Sequence, residues 1–467
     1  MRILITGATG LVGQNIGINL VKQGHEVFVI TRDQKKVKKN CPFPCTSIEG
    51  DLNRGSVNLN SFNSFDSVIN LMGEPIATGR WTSDKKEKLR SSRINSTLNL
   101  IESLKTCSKF PASFISTSAI GFYGSCGEHI IHEDQGPAKG FLGQLCKDWE
   151  DSALKIQTVS PSTRVVIARI GIVISREGGA LNEILPLFKN GLGGPISDGK
   201  QWMSWIHLND VIAFYIQAIS DSSIYGPYNL VAPNPVTNKE FTAVLGKTIN
   251  SSTLLPTPSF ALKIAFGEKS KILLDSQRVS STRILNHFNF QFKKLEDALT
   301  AELIDDQNGN ELFKAKQYIG KTPEELFPFF SEAKNLEKIT PSSLNFKIVS
   351  TSTDKIDQGT IINYLLKIHG IPMNWKTEIT NWSPPNQFID NQLKGPYALW
   401  HHTHIFEKLG PGTLMIDKVR FKLPLGKLGK IFGLWLVLKD IQKIFDYRFK
   451  IVNQIFNNSE VKSSNES

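Results

Sequence analysis

The sequence predicts an α/β chain: a doubly wound parallel sheet over residues 1–300, followed by a smaller strand-rich α+β domain. Three observations lead there. Short apolar runs alternate with longer stretches of helical periodicity up to about residue 300, the pattern of repeated βα units. Gly7, Gly10 and Gly13 stand where the first apolar run passes into the first helical stretch. Beyond about residue 305 the texture changes to alternating polar and apolar positions, the period of strands with one buried face.

Composition bounds the rest. The chain has 467 residues, 40% hydrophobic and 21% charged, enough for two to four domains at about 150 residues each and unlike a disordered chain. Its 54 Lys+Arg against 43 Asp+Glu give a net charge of +11, too dilute over this length to imply a nucleic-acid partner. Five cysteines, with a lone C-x₃-C at Cys41 and Cys45, form neither a disulfide framework nor a paired zinc motif, which points to a reducing, cytoplasmic setting. No run approaches the roughly 18 apolar residues of a spanning helix, so no stable membrane insertion is expected. Met1 leads straight into Arg2-Ile3-Leu4-Ile5, a strand pattern, and no signal peptide is expected.

The elements follow in order. Strands are expected at Ile3–Thr6, Val27–Thr31, Ser67–Leu71, Ser113–Thr117 and Val165–Arg169. Leu11–Gln23 and Lys86–Leu104 carry helical periodicity. In the second domain one amphipathic stretch, Pro323–Leu336, precedes several strands and a closing helix over 427–455. Ile431, Leu434, Trp435, Leu438, Ile441 and Phe445 recur at helical spacing there. That stripe is expected to pack on its own domain; lying on a membrane surface is the alternative. The polar tail 456–467 is expected to fray. The domains read as 1–300, with 247–300 its C-terminal subregion, and 310–455.

The loop Thr6-Gly-Ala-Thr-Gly-Leu-Val-Gly13 reads as a phosphate cradle. Gly7 makes the tight turn, Gly10 lets the backbone approach a pyrophosphate, and Gly13 packs helix on strand. Thr9, Leu11 and Val12 complete the turn whose N–H groups open the helix towards an anion. At the end of the second strand stand Thr31, Arg32 and Asp33. Arg32 falls where a guanidinium meets a ribose 2′-phosphate, which favours NADP(H) over NAD(H); in the alternative, Asp33 takes the ribose hydroxyl. Asp51 and Leu52 are candidates for the adenine, and Leu71, Gly73 and Glu74 end a strand at the cofactor edge of the sheet.

With these segments in place, residues 1–300 resemble the extended short-chain dehydrogenase/reductase family, in its atypical epimerase-family branch. The resemblance is carried by the loop above, Asn70-Leu-Met-Gly-Glu-Pro-Ile76, Arg80-Trp-Thr82, Ser92-Arg-Ile94 and Ser116-Thr-Ser-Ala-Ile-Gly-Phe-Tyr-Gly124. It continues through Asp148-Trp-Glu150, Gly178-Gly-Ala-Leu181, Gly191-Leu-Gly-Gly194, Gly199-Lys-Gln-Trp202, Ser204-Trp-Ile-His207 and Asn229-Leu-Val-Ala-Pro233. It implies a Rossmann fold, an NADP(H)-type cofactor, a small-molecule substrate cleft built largely beyond residue 170, and catalysis by Ser with Y-x-x-x-K. Ser118 matches the serine. The tyrosine and lysine positions hold Leu142 and Cys146, and Lys147 comes one residue late, about 100° round the helix. Tyr123 is the nearest phenol, so Ser118 and Tyr123 are the catalytic candidates; a Tyr123 ring packed on the nicotinamide wall is the alternative.

Arg80, Arg93, Trp202 and His207 lie in the branch-specific segments and are candidates for substrate contact. His207 also reads as a strand end before Asn209 or Asp210 caps the next helix. The Gly191–Gly199 run reads as a mobile flap, because no Lys-Ser/Thr closes it as a phosphate loop.

Residues 310–455 resemble the SRPBCC superfamily of START-like helix-grip domains. The carrying segments are Asn335-Leu-Glu-Lys-Ile-Thr-Pro341, Gly370-Ile-Pro372, Trp375, Trp382-Ser-Pro-Pro385, Phe388-Ile-Asp390, Gln392, Gly395-Pro-Tyr397, Trp400-His-His-Thr-His404 and Asp417-Lys-Val419. The resemblance implies a curved antiparallel sheet gripping a long helix around a cavity for an apolar small molecule. By strand alternation Trp400, His402, His404 and Phe406 share one face. Asp390 and Gln392 share a face of the neighbouring strand, giving the pocket one polar end. A hydrogen-bonded histidine pair is expected there, and no metal.

These readings combine as an atypical NADP(H)-dependent oxidoreductase or epimerase-like enzyme coupled to a hydrophobic-ligand domain. The alternative is a non-catalytic NADP(H)- and lipid-like-ligand sensor or regulator of the kind labelled a cell-division inhibitor, for which the missing Y-x-x-x-K speaks.

Overall fold

In the computed structural model, residues 1–456 are described, and the chain divides into two compact units, the second beginning at Asp305. The expected fraying of 457–467 and the side chain of Ile431 lie outside the described residues.

The first unit is built on seven parallel strands: β1 (Arg2–Thr6), β2 (Glu26–Thr31), β3 (Thr46–Glu49), β4 (Ser67–Asn70), β5 (Ser113–Ala119), β6 (Arg164–Ile170) and β7 (Gly226–Leu230). Their order is β3-β2-β1-β4-β5-β6-β7. The order reverses between β1 and β4, and ligands of open α/β sheets bind outside the strand ends at such a reversal. Ile3, Leu4 and Ile5 are fully buried, because helices cover both faces and a parallel strand then has no wet side.

The helices that matter for the site are α1 (Leu11–Lys22), α2 (Gln34–Asn40), α3 (Ser83–Ser91), α4 (Ile94–Leu104), α5 (Phe141–Leu154) and α6 (Leu208–Ser220). The single helix expected over Lys86–Leu104 is two, α3 and α4, interrupted at Ser92 and Arg93. Burial decides the break. Arg93 turns inward and donates to the carbonyls of Leu89 at 3.1 Å and Glu74 at 3.1 Å, over the Trp149 ring at 5.1 Å. A second core, with Trp205, Phe241, Leu295 and Leu299, closes the unit towards residue 304.

The second unit is an antiparallel sheet of seven strands: β8 (Glu311–Ile319), β9 (Lys347–Thr351), β10 (Ile361–Ile368), β11 (Ile371–Ser383), β12 (Gln387–Lys394), β13 (Leu399–Leu409) and β14 (Gly412–Lys422). Its order is β8-β14-β13-β12-β11-β10-β9. The 31-residue helix α7 (Gly426–Phe456) packs on the sheet through Ile441 and Phe445 against Val419 and Phe421. Trp435 departs from the expected stripe: it is 72% exposed and lies beneath Lys439. The stretch expected as one element at Pro323–Leu336 forms two short helices, Pro323–Phe330 and Ala333–Lys338, the first opened by a capping box of Thr322 and Glu325. Among the described residues no helix is long and apolar enough to cross a membrane.

Candidate functional site

The loop after β1 is shaped for close approach. Gly7 has φ +71°, and a Cβ there would lie 2.7 Å from the Leu71 carbonyl oxygen, so only glycine lets the loops after β1 and β4 touch. A Cβ on Gly13 would meet the Gly7 carbonyl oxygen at 2.5 Å, which holds the first turn of α1 against the loop. Gly10 is the N-cap of α1 in extended conformation, without a capping side chain. The N–H groups of Leu11, Val12 and Gly13 therefore point outward with no intrahelical partner, and Thr9 beside them is exposed. Beneath, Thr6 Oγ1 donates to Asn70 Oδ1 at 2.7 Å, and Asn70 Nδ2 donates to Thr97 Oγ1 at 2.9 Å and Ser116 Oγ at 3.3 Å. This buried network ties β1, β4, β5 and α4 together under the strand ends.

At the end of β2 the two candidate recognition residues have separate fates. Asp33 caps α2, accepting from the backbone N–H of Lys35 at 3.0 Å and Lys36 at 3.3 Å. Arg32 is exposed, and among the described residues it has no hydrogen bond or ion pair. Thr31 Oγ1 donates to the Asp33 carbonyl at 3.0 Å and holds the turn.

Other expected cofactor residues are engaged within the fold. Leu52 is 2% exposed in the core beside Phe28 and Phe65: its side chain is the apolar anchor of the turn after β3, which leaves only its backbone to face an adenine. Asp51 accepts from the Asn53 N–H at 3.1 Å and pairs with Arg54. Leu71 and Gly73 follow β4 at the strand ends, and Glu74 pairs with Lys85 at 2.7 Å.

Ser118 and Tyr123 are brought together, but facing inward. Ser118 Oγ donates to Glu150 Oε1 at 2.6 Å. Arg169 grips the same carboxylate with two N–H groups, at 2.9 and 2.8 Å. It also donates to Tyr123 Oη at 2.7 Å, and Tyr123 donates onward to Asn229 Oδ1 at 2.6 Å. All five side chains are buried. Burial pushes the Tyr123 phenol up to about 12 against the opposing pull of Arg169, so it stays protonated at neutral pH. This differs from an arrangement in which both hydroxyls face a substrate: a buried carboxylate must find donors, and Ser118 and Arg169 are the ones in reach.

Leu142, Cys146 and Glu150 recur every four residues of α5. In place of the expected Tyr and Lys, the face towards Gly121 carries Leu142 and the buried Cys146. Lys147 is exposed and paired with Asp151, as its rotation round the helix requires. Glu150 and Arg169 stood in segments already singled out, but neither had been read as a site residue. An acid on the Leu142–Cys146 face of a helix was the available signal.

The substrate-side candidates scatter. Arg80 donates to the carbonyls of Ile264 and Ala265. Trp202 lies under Arg278 at 4.3 Å and donates to Glu128 Oε2 at 2.7 Å. His207 is itself the cap of α6, its Nδ1 accepting from the Asn209 N–H at 3.1 Å. That corrects the expected cap at Asn209 or Asp210. His207 also stacks on Phe292 at 3.8 Å, and its Nε2 lies 2.9 Å from Glu302. The Asp210 carboxylate accepts from the N–H groups of Gln291 and Phe292. The Gly191–Gly199 loop pairs with the 255–257 segment through Ser197 N–H to Thr257 O at 2.9 Å and Thr257 N–H to Pro195 O at 2.8 Å.

The second unit encloses a cavity of about 570 Å³ between sheet and helices, walled by Leu336, Tyr364, Trp375, Trp382, Phe388 and Ile441 among others. Asp390, His402, His404 and Arg448 reach it from β12, β13 and α7. His402 lies opposite Asp390, and His404 opposite Asp417, across the sheet. His402 Nε2 is 3.0 Å from Asp417 Oδ1, and its Nδ1 is 3.5 Å from Asp390 Oδ2. His404 Nε2 is 3.1 Å from Asp390 Oδ2; its Nδ1 is 2.8 Å from Asp417 Oδ1, though off the hydrogen-bond angle. Arg448 Nη1 stands 3.3 Å from Asp417.

Burial, reinforced by the neighbouring His404, pushes His402 down to about 4. For His404 burial acts the same way, but Asp390 and Asp417 outweigh it and raise the group. Burial would raise Asp417, yet His402, His404 and Arg448 hold it well below the carboxylate range. Gln392 does not join them. Its amide donates to the Tyr397 carbonyl at 2.7 Å and braces the turn at Gly395, a correction to its expected place in the pocket. Asp417 and Arg448 were not read from sequence as site residues. Their signal was a charged residue on an otherwise apolar stripe: Met415-x-Asp417-x-Val419-x-Phe421 on β14, and Ile441, Phe445, Arg448, Val452 on α7.

Comparison with known proteins bears on the first unit. The NAD dependent epimerase/dehydratase family matches residues 3–230, and a domain of unknown function, DUF1731, matches residues 257–302. The chain is 34% identical over 307 residues to the epimerase family protein SDR39U1 homolog, chloroplastic, of Arabidopsis thaliana, covering 64% of this chain and 86% of that protein. It is 33% identical over 307 residues to the epimerase family protein YfhF of Bacillus subtilis, covering 65% and 99%. The crystal structure of human epimerase family protein SDR39U1 with NADPH superposes with a TM-score of 0.57 at 29% identity, covering 65% of this chain and 99% of that one. Through its first unit, with a Rossmann-like seven-stranded parallel sheet and a DUF1731 region after it, this chain belongs to the NAD-dependent epimerase family.

Proposed function

We propose that this chain is an NADP(H)-dependent enzyme of oxidoreductase or epimerase type, joined to a START-like helix-grip domain that holds an apolar small molecule. The observation that carries the cofactor is at the end of β2: Asp33 is spent on capping α2, and Arg32 stands exposed beside it with no partner among the described residues. The solved human relative, 29% identical, holds NADPH. When bound, the cofactor supplies or accepts a hydride. This chain's part is to hold the pyrophosphate on the N–H groups of Leu11, Val12 and Gly13, and the 2′-phosphate on Arg32. The cradle fits that group, since Gly7 and Gly13 leave no room for a side chain where the backbone must come close.

The buried Ser118–Glu150–Arg169–Tyr123 brace ties the C-terminal end of β5 to α5 and β6. Proton exchange with substrate is then served by a group outside the family's Y-x-x-x-K positions. Consumption of NADPH by the full chain, measured at 340 nm against a panel of apolar carbonyl compounds, tests the reading. Turnover with at least one compound supports it, and tight cofactor binding without turnover would favour the sensor reading.

The START-like reading of the second unit rests on its apolar cavity between a seven-stranded antiparallel sheet and the long helix α7. Native mass spectrometry of the purified chain tests it through the small molecule that accompanies the protein.

A further inference from the structure

We propose that Asp390, His402 and His404 form a binding site for a divalent first-row transition metal on the wall of the C-terminal cavity, with Asp417 as the residue that positions both histidines. The inference stands on this cluster alone and does not depend on what fills the apolar part of the cavity.

The arrangement begins with strand alternation. His402 and His404 leave β13 on the same face, their rings 3.7 Å apart. One nitrogen of each, His402 Nε2 and His404 Nδ1, lies against the same oxygen, Asp417 Oδ1, at 3.0 and 2.8 Å. The other nitrogen of each, His402 Nδ1 and His404 Nε2, turns to a second shared oxygen, Asp390 Oδ2, at 3.5 and 3.1 Å. Two nitrogens and one carboxylate oxygen thus converge, all within 4.8 Å of one another.

Those separations match a metal's needs. Ligands about 2.0–2.1 Å from a tetrahedral ion stand roughly 3.4 Å apart, close to the 3.1 and 3.5 Å found here. Asp417 supplies the partner that metal-bound imidazoles usually have, a carboxylate accepting the second ring N–H, which fixes tautomer and ring direction. The Nδ1 of His404 is buried without a well-aligned hydrogen bond and lies 2.8 Å from Asp417 Oδ1. Arg448, 3.3 Å away, offsets the Asp417 charge. Phe388 stacked on His404 at 4.1 Å restrains the ring.

Two imidazoles and one carboxylate leave the remaining coordination positions open, and the three residues line the cavity. Sets of this kind suit Zn²⁺, Fe²⁺ or Co²⁺ rather than Ca²⁺ or Mg²⁺, which prefer all-oxygen shells. The open position would take water or an oxygen atom of a cavity occupant.

The competing arrangement is a metal-free box in which the two histidines, two aspartates and Arg448 neutralise one another. Titration of the full-length, EDTA-treated chain with Co²⁺ alone separates the two. One equivalent bound with visible d–d absorption, displaced by Zn²⁺, is expected. His402→Ala and Asp390→Asn should each weaken binding at least tenfold. Asp417→Asn, which removes no ligand, should weaken it by roughly ten- to hundred-fold and alter the spectrum. Far-ultraviolet circular dichroism and a cooperative urea-unfolding transition of the second unit check that each variant is folded. Failure of the folded wild-type chain to take up Co²⁺ or Zn²⁺ would overturn the proposal. So would equal uptake by a folded His402→Ala/His404→Ala variant.

Discussion

Arg169 and Glu150 meet in a two-pronged ion pair, Nε to Oε1 at 2.9 Å and Nη2 to Oε2 at 2.8 Å, with side chains 6% and 9% exposed. The pair joins α5 to β6, and Ser118 on β5 completes it. Breaking a buried pair leaves one charge uncompensated, which costs about 3–5 kcal/mol. Arg169→Met should therefore lower unfolding free energy by that amount in urea titrations, and Glu150→Met/Arg169→Met should recover much of it. Ser118→Ala removes only one hydrogen bond to a charged group and should cost about 1.5–3 kcal/mol.

Arg32→Ala should weaken NADPH binding by roughly ten- to hundred-fold, the worth of one guanidinium–phosphate contact. NADH binding should hardly change. Tryptophan quenching with both cofactors measures this, and equal affinities in the wild-type chain would refute the Arg32 assignment.

In turnover assays Ser118→Ala should reduce the rate at least tenfold with cofactor affinity nearly intact, since it loosens the strand end without touching the phosphate loop. Lys147→Ala should be close to neutral, because that side chain is exposed and paired only with Asp151. An inactive but folded Lys147 variant would show that the lysine reaches the chemistry.

Tyr123 gives a pH signature. Its phenol is pushed up to about 12 from the usual 10, chiefly by burial. A group whose folded-state pKa is raised contributes stability that is complete below its unfolded value and lost as pH rises through the folded one. The window is therefore pH 10 to about 12, and two pKa units correspond to about 2.7 kcal/mol at most. Urea unfolding at pH 8, 10 and 11 should show a steeper loss for the wild-type chain than for Tyr123→Phe. That variant should start lower at pH 8, having left Asn229 and Arg169 each short of a partner.

A fragment spanning residues 305–467 should fold cooperatively by itself, since its sheet, helix and apolar core lie within that stretch and its size suffices for a domain. It should bind a fluorescent fatty-acid probe. Burying about 200 Å² of apolar surface contributes on the order of 5 kcal/mol, and ordering costs leave micromolar affinity. A collapsed fragment that excludes the probe would mark an interaction module instead.

Local chemistry carried much of this protein. Hydrophobic period and glycine placement located five of the seven parallel strands to within two residues at either end and missed β3 and β7; a strand buried on both faces reads as an apolar run, and the glycines mark the turn where backbone must come close. The alternation Trp400-x-His402-x-His404-x-Phe406 likewise put the two histidines on one face of β13 before any fold was known. Pairings between residues distant in sequence were illegible. Ser118 could be read as catalytic because nothing nearby in sequence announces Glu150, 32 residues on, as its acceptor. Leu52 could be read as a cofactor contact because its burial depends on Phe28 of β2 and Phe65, just ahead of β4, arriving from elsewhere in the chain. Asp417 meets His402 and His404, and Arg448 meets Asp417, only once β14 and α7 close over the cavity. A buried charge is tolerable only with its partner in place, so such residues declare themselves in sequence merely as breaks in an apolar stripe. Which groups satisfy them was settled by sheet register and helix packing.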